Sequence, residues 1–240
     1  MVSSAVKKYA ALCMVCLCSS LFFLGLYQFN NKYSQNTIQA ANGILALSEE
    51  ELQKSPVRFL VSGWAFYPDA LLTPEEIQDE SHYMRYLSIG EQTNFSSPAN
   101  PSPYGCGTYQ MTFFLPERKE AYALEIPEVF SAYNLYLDHD LILQMGEPAQ
   151  GTPLVQNRMV TFYGGKPVTL TIAVSNYDHF YGGIVYPPAF GTMLAVNTTR
   201  GIRFAFCLFS CTVTFVCALL SFYFSRRMKQ KNTFLFGLIC

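Results

Sequence analysis

The residues best suited to binding chemistry lie together in one short segment, residues 176–183. Its sequence places an amide, a carboxylate, an imidazole and three aromatic rings one after another, and two glycines follow. Aromatic faces beside hydrogen-bonding groups suit a sugar or another small polar ligand. Loops on a rigid scaffold are also where binding groups concentrate. We therefore take Asn176, His179 and Tyr181 as candidate ligand-binding residues.

The same segment has a structural interpretation, which stays open at this point. Asn176 and His179 would then only hydrogen-bond the loop to its scaffold, and the glycines at 182 and 183 would supply backbone freedom. Four more aromatic residues are ligand-binding candidates with a similar ambiguity: Trp64, Tyr104, Tyr109 and Tyr133. Each either lines a ligand surface or packs in a core with its polar atom bonded. Trp64 is the only tryptophan and lies in an apolar strand, which favours the core for that residue.

The sequence contains no recognisable motif for catalysis or metal binding. It has no glycine-rich phosphate loop, no nucleophile elbow and no pair of histidines at metal spacing. Cys13, Cys16 and Cys18 lie in an apolar run, which lacks the polar second shell that zinc thiolates need. The carboxylates of Glu75 and Glu76 are explained by the solvated face of a short helix. We predict no catalytic residue, no metal and no cofactor in this chain.

Charge divides the chain into two environments. The total of 16 basic and 17 acidic residues provides no basic footprint for nucleic acid. Residues 33–200 hold 8 of the basic and all 17 of the acidic residues, a net charge of −9, and the remaining residues carry +8. The acidic middle region and the basic flanks therefore belong to two chemical environments.

Two uncharged runs of 21 residues, 9–29 and 204–224, coincide with these boundaries. A helix of that length is roughly 31 Å long, about the thickness of a bilayer's hydrocarbon core. The first run follows two lysines and could be a secretory signal, but its length favours an uncleaved anchor. Basic residues after the second run indicate a cytoplasmic loop. We expect a multi-pass protein of the cell membrane, with a cytoplasmic N-terminus and residues 33–200 outside.

Between the runs, short apolar stretches broken by glycine, proline, asparagine and aspartate indicate an antiparallel β fold. Eight strands are predicted, at residues 57–67, 82–89, 107–115, 121–126, 132–137, 141–145, 158–162 and 168–176. One short helix is expected after Leu72, because Thr73, Pro74 and Glu76 form an N-terminal capping signal. Asp138 and His139 predict a tight hairpin turn. The expected fold class is an all-β jelly roll or sandwich flanked by transmembrane helices.

The domain organisation follows from these patterns and is expected to run in six parts: a membrane anchor or signal helix at 1–32, a linker at 33–55, the extracytoplasmic β domain at 56–197, a transmembrane helix at 202–225, a basic cytoplasmic loop at 226–232 and the start of a further transmembrane helix at 233–240. An alternative for residues 233–240 is a short tail lying against the inner leaflet.

Several stretches follow one another in an order that resembles a known family: Gly-Trp-Ala-Phe-Tyr at 63–67, Leu-Leu-Thr-Pro at 71–74, Tyr-Gly-Cys-Gly-Thr-Tyr at 104–109, Leu-Pro at 115–116, Ser-Ala-Tyr-Asn-Leu-Tyr at 131–136 and Val-Ser-Asn-Tyr-Asp-His-Phe-Tyr-Gly-Gly at 174–183. Together with the adjoining apolar run, this order resembles the extracytoplasmic domain of bacterial seven-transmembrane receptors with diverse intracellular signalling modules. The chain departs from the family at Asp138-His139, where an Asn-Gly turn is common.

This resemblance implies a galactose-binding-like jelly roll, followed by seven membrane helices and an intracellular output module, commonly a histidine kinase or a diguanylate cyclase. The leading hypothesis is thus a membrane-bound receptor that senses a small ligand such as a carbohydrate. Its expected partners are that ligand and the lipid bilayer, and a homodimer is a further expectation. The alternative is a membrane-tethered module for protein interaction or carbohydrate binding, without signalling output. An accessory domain of a sugar-cleaving enzyme fits the predicted fold but not the predicted spans.

Overall fold

The computed structural model describes residues 4–33, 36–78, 82–90, 95 and 102–228. These residues form eleven β-strands and four α-helices. The predicted start of a further membrane helix at 233–240, and Lys229 and Lys231 of the basic cluster, lie outside the described residues.

The helices are α1 (Ser4–Asn30), α2 (Glu49–Lys54), α3 (Pro74–Ile77) and α4 (Met193–Met228). The strands are β1 (Ile44–Ala46), β2 (Val57–Phe59), β3 (Trp64–Pro68), β4 (Arg85–Leu87), β5 (Gly105–Phe114), β6 (Tyr122–Ile126), β7 (Ala132–Leu137), β8 (Asp140–Met145), β9 (Arg158–Phe162), β10 (Val168–Asn176) and β11 (Ala189–Thr192).

The strands form two facing sheets, so the predicted β-sandwich is confirmed. The larger sheet has the order β4-β3-β5-β10-β7-β8, and β1 pairs in parallel with β5 beside this path. The smaller sheet has the order β2-β11-β6-β9, with antiparallel pairs throughout. Aromatic rings from both sheets fill the space between them: Phe113 of the larger sheet lies 5.1 Å from Phe190 and 5.5 Å from Phe162 of the smaller one, between ring centroids.

The single strand predicted for residues 57–67 is in fact two strands in different sheets. β2 belongs to the smaller sheet and β3 to the larger one, and the chain crosses the sandwich between them. Gly63 makes the crossing possible. Its φ of +82° is strained for other residues, and a Cβ atom at this position would lie 2.1 Å from the carbonyl oxygen of Ala40. Leu60 and Val61 of the crossing are buried like Trp64 of β3, so hydrophobicity alone does not show the break.

The segment expected as a linker, residues 33–55, is partly folded into the sandwich. Leu45, Leu47 and Leu52 are buried in the core. Ser48 caps α2, and its hydroxyl and the carboxylate of Glu51 form a reciprocal capping box. The same signal predicted α3 correctly, where Thr73 and Glu76 make the box and Pro74 occupies the first turn.

α4 starts directly after β11, nine residues before the predicted transmembrane helix at 202. Its first turns pack on the outer face of the smaller sheet. Val196 is buried there, and the Nε atom of Arg200 lies 4.0 Å from Oε1 of Glu125. The guanidinium of Arg203 lies over the ring of Phe59, 5.2 Å from its centroid. The helix continues beyond the sandwich with mostly exposed apolar side chains.

Among the described residues, one helix, Met193–Arg227, is long and apolar enough to cross a membrane by length and composition. In α1 the corresponding apolar stretch is the shorter Cys16–Gln28. A second span through residues 9–29 therefore stays a prediction.

Candidate functional site at the helix end of the sandwich

Three segments meet where α1 and α4 adjoin the sandwich: residues 31–33, the β6–β7 connection at 127–131 and the β10–β11 connection at 177–188. The hydroxyl of Tyr33 donates to the carbonyl oxygen of Val185 at 3.0 Å. The backbone N–H of Gly183 donates to the Ser131 hydroxyl at 3.1 Å. The predicted binding loop thus lies at this helix end, and Tyr186, three residues after it, lines a cavity together with Arg203 of α4.

Asn176 holds this loop in place, as the structural interpretation of the segment predicts. Its side chain is fully buried at the end of β10. Its NH₂ group donates to the carbonyl oxygens of Pro103 and His179, both at 2.7 Å, and its Oδ1 accepts the His179 N–H at 3.0 Å. Both amide hydrogens are therefore used within the protein, so the Asn176 side chain has no donor left for a ligand.

The two glycines that follow are required by close packing. A Cβ atom at Gly182 would lie 2.1 Å from the Pro103 carbonyl oxygen. Gly183 has φ at +78°, and a Cβ there would lie 2.4 Å from the Tyr109 hydroxyl. Only glycine meets both demands without displacing the loop.

His179 belongs to a group of neighbouring rings that we call the aromatic cluster: Phe130, His179, Tyr181 and Tyr186. The imidazole lies parallel to Phe130, with an interplanar angle of 7° and 4.6 Å between centroids. Tyr181 lies 6.1 Å and Tyr186 6.4 Å from the same ring. Phe130 is thus the centre of the cluster, although it lies almost fifty residues from the loop in the sequence.

The hydrogen bonding of His179 determines which of its nitrogens can serve a ligand. Nδ1 accepts the backbone N–H of Tyr181 at 3.1 Å. In the neutral ring the proton must then lie on Nε2, which is a hydrogen-bond donor. Tyr181 is 45% exposed. The loop therefore offers a ligand the N–H group of His179, and the hydroxyl and aromatic ring of Tyr181.

Three of the predicted ligand-binding residues are core residues instead. Trp64 is fully buried, and its indole N–H donates to the Leu60 carbonyl oxygen at 2.9 Å. Tyr109 packs against Trp64 and Phe66, and Tyr133 is fully enclosed. Burial raises the pKa of both tyrosines to about 12. These rings cannot reach a ligand in solvent because the sandwich surrounds them.

Tyr104 is the remaining candidate, and it is 50% exposed next to the Pro103 carbonyl that Asn176 binds. Phe130, Tyr186 and Lys32, whose ammonium lies over the Tyr186 ring at 5.4 Å, were not predicted as binding residues. Lys32 had a signal in the sequence, because it is the first charged residue after the uncharged run 9–29, but Phe130 and Tyr186 had none. Within the described part of the chain, no three His, Cys, Asp or Glu side chains come together as metal ligands.

Comparison with known proteins gives structural matches only. No protein-family model matches the chain, and no curated protein does. Similar solved structures include a β-galacturonidase of glycoside hydrolase family 2 from Eisenbergiella tayi bound to galacturonate (14% identity, TM-score 0.40, 56% of this chain and 24% of that one). A β-glucuronidase from Faecalibacterium prausnitzii shares 17% identity, with a TM-score of 0.39 over 57% of this chain and 32% of that one. A family 2 member from Bacteroides cellulosilyticus has 12% identity and a TM-score of 0.46, over 57% of this chain and 20% of that one.

The chain therefore spans between a fifth and a third of the length of these enzymes. Similarity at this level gives no indication of what the chain binds or does.

Proposed function

We propose that this chain is the sensor part of a membrane-bound receptor. Its β-sandwich, a galactose-binding-like jelly roll outside the cell, binds a small ligand such as a carbohydrate. α4 carries the response into the membrane, toward further helices and a cytoplasmic output module such as a histidine kinase or diguanylate cyclase. The observation that carries the proposal is the direct continuation of β11 into α4, with no linker between Thr192 and Met193.

This continuation makes the sandwich and the helix one mechanical unit. The N–H of Met193 donates to the Ala121 carbonyl oxygen at 3.0 Å, so the start of α4 is tied to the smaller sheet. Val196 and the pair of Arg200 with Glu125 hold the next two turns. A flexible linker would absorb a small movement of the sandwich, whereas a docked helix passes it on.

The candidate loop is the segment directly before this unit. Residues 177–188 lead into β11, which leads into α4. A ligand that contacts the loop would bias the helix only if it binds one of two loop arrangements more tightly. The exposed ring of Tyr181 and the Nε2–H of His179 are the groups that could make such a contact.

Ligand binding is tested on the full chain in lipid nanodiscs, by calorimetric titration with a panel of neutral hexoses and hexuronates. We expect Tyr181→Ala to weaken binding on the order of tenfold, the upper range for one aromatic contact. Tyr163→Ala is the matched control, because Tyr163 is 64% exposed and follows β9 at the opposite end of the sandwich. No binding by any member of the panel would contradict the sensor and favour the tethered interaction module.

Topology is tested separately, in a chain whose eight cysteines are replaced by serine. A membrane-impermeant maleimide added to intact cells should label Tyr163→Cys and leave Arg227→Cys unlabelled. Equal labelling of both variants would contradict the proposed membrane arrangement.

A further inference from the structure

A cavity of about 930 Å³ lies where α1, α4 and the sandwich meet. Its wall is formed by the end of α1, by residues 31–33, by Glu128 and Tyr186 of the sandwich loops, and by α4 from Arg203 to Cys207. The cavity is adjacent to the aromatic cluster, because Tyr186 belongs to both. Its volume is at the upper end of the range for small-molecule sites.

The lining changes character along the helices. Lys32, Tyr33 and Arg203 lie at the sandwich side, and Phe23, Leu26 and Phe206 lie farther along the helices. The two cations stand at the ends of the two uncharged runs, 9–29 and 204–224. If these runs cross a bilayer, the polar side of the cavity lies at headgroup depth and the apolar side faces the acyl chains.

Neither cation has an acidic partner in the described part of the chain. Lys32 lies over the Tyr186 ring at 5.4 Å, and Arg203 lies over Phe59. No carboxylate oxygen is within 4.0 Å of either among the described residues. Glu128 is the acidic residue in the wall, so the two cations outnumber it. The Nε atom of Arg203 is also buried without a hydrogen-bond partner.

We propose that this cavity binds the headgroup and upper acyl chains of an anionic phospholipid. The phosphate group would be the anionic partner that Lys32 and Arg203 do not find among the described residues. The acyl chains would cover the side chains of Phe23, Leu26 and Phe206. A free phosphate or a soluble sugar would leave the apolar side of the cavity uncovered. The proposal rests on the membrane placement in the proposed function, and it adds the bilayer lipid as a specific ligand.

A bound lipid would contact both helices and Tyr186 at once. It would thereby link the position of α1 relative to α4 with the loop that we propose as the ligand-binding segment. The lipid site is thus placed to influence signalling as well as anchoring.

The test uses the full chain in vesicles that contain equal amounts of phosphatidylglycerol and phosphatidylcholine. The vesicles are first washed with alkaline carbonate, and lipid that copurifies with the retained protein is then quantified by mass spectrometry. We expect enrichment of phosphatidylglycerol, reduced about fivefold for each cation removed in Lys32→Gln and Arg203→Gln. Arg203→Lys keeps the charge and should retain most of the enrichment.

Arg200→Gln is the matched control. Arg200 lies one turn earlier on α4, is not in the cavity wall and faces Glu125 instead. Equal loss of enrichment in Arg200→Gln and Arg203→Gln would overturn the site, and so would equal binding of both lipids by wild-type protein that survives the wash. If soluble glycerol phosphate displaced phosphatidylglycerol completely, the lipid proposal would be refuted and the ligand would be a free phosphate. Loss of the protein in the wash would instead refute the membrane placement itself.

Discussion

Replacing Asn176 by alanine separates the two interpretations of the candidate loop. If the amide is structural, Asn176→Ala removes three hydrogen bonds at once, to Pro103 and to the carbonyl and N–H of His179. If the amide mainly serves a ligand, the sandwich should lose little stability and the binding of that ligand should fall.

The structure sets the size of the expected effect. Asn176 is fully buried, so water cannot replace the lost partners readily. Each hydrogen bond contributes about 0.5–1.5 kcal/mol net, and stranded buried groups add to the cost, which gives a loss of about 2–4 kcal/mol in the free energy of unfolding. For a domain of roughly 150 residues this corresponds to a fall in the melting temperature on the order of 5–15 °C.

Thermal unfolding of the full chain, followed by tryptophan fluorescence, measures this loss. Trp64 is the only tryptophan and is fully buried, so its emission reports on the sandwich core. Tyr181→Phe is the control, because it removes an exposed hydroxyl from the same loop and should leave the melting temperature unchanged. Asn176→Asp should destabilise the fold at neutral pH, since it places a carboxylate against two carbonyl oxygens.

A melting temperature of Asn176→Ala close to that of the wild type would refute this reasoning. The hydrogen bonds would then contribute nothing to the fold, and the amide would again be a candidate for ligand contact.

The remaining predictions concern groups buried near the same loop. Tyr133→Phe should leave stability unchanged or raise it by about 1 kcal/mol in denaturant unfolding, because the Tyr133 hydroxyl is buried without a partner among the described residues; a clear loss would show that the hydroxyl is bonded. The pKa of Tyr109 and Tyr133 is raised from 10 to about 12, so the stability that their protonated forms supply is complete below pH 10 and is lost as the pH rises toward 12. Stability measured across that interval should fall less in Tyr133→Phe than in the wild type. Gly183→Ala should destabilise the sandwich by about 1–2 kcal/mol or more, because the backbone φ is positive there and the new Cβ would contact the Tyr109 hydroxyl. Gly201→Ala in α4 is the control and should not destabilise the protein, because the space around its Cβ is open. Equal melting temperatures for these two variants would contradict the loop geometry.

Much of the fold was predictable from local signals. The turn at Asp138-His139 and the cap of α3 depend on residues within a few positions of one another, so pattern reasoning finds them. The prediction that residues 33–55 form a linker missed β1 for a different reason. β1 is only three residues long and pairs in parallel with β5, almost seventy residues away, so no local pattern marks it.

The candidate site was predictable only in part. The loop at 176–183 stands out by composition, but the same composition fits a ligand site and a structural clamp. What distinguishes the two is whether the Asn176 amide has partners, and one of these partners, Pro103, comes from 73 positions away. Likewise, Tyr109 and Tyr133 have the residue types of a ligand platform, and only their burial shows that they are core, whereas the apolar strand around Trp64 already favoured the core for that residue.

The sequence by itself determined the division of charge, the two uncharged runs and the β character of the middle region, because these depend on residue type and on spacing along the chain. Only the tertiary structure decided which rings surround His179, which cations share a cavity and where α4 leaves the sandwich. Phe130, His179 and Tyr186 meet because the β6–β7 and β10–β11 connections lie at the same end of the two sheets. Which connections lie side by side depends on how the strands pair. Pairing between strands that are distant in the sequence cannot be predicted from the local sequence of either strand.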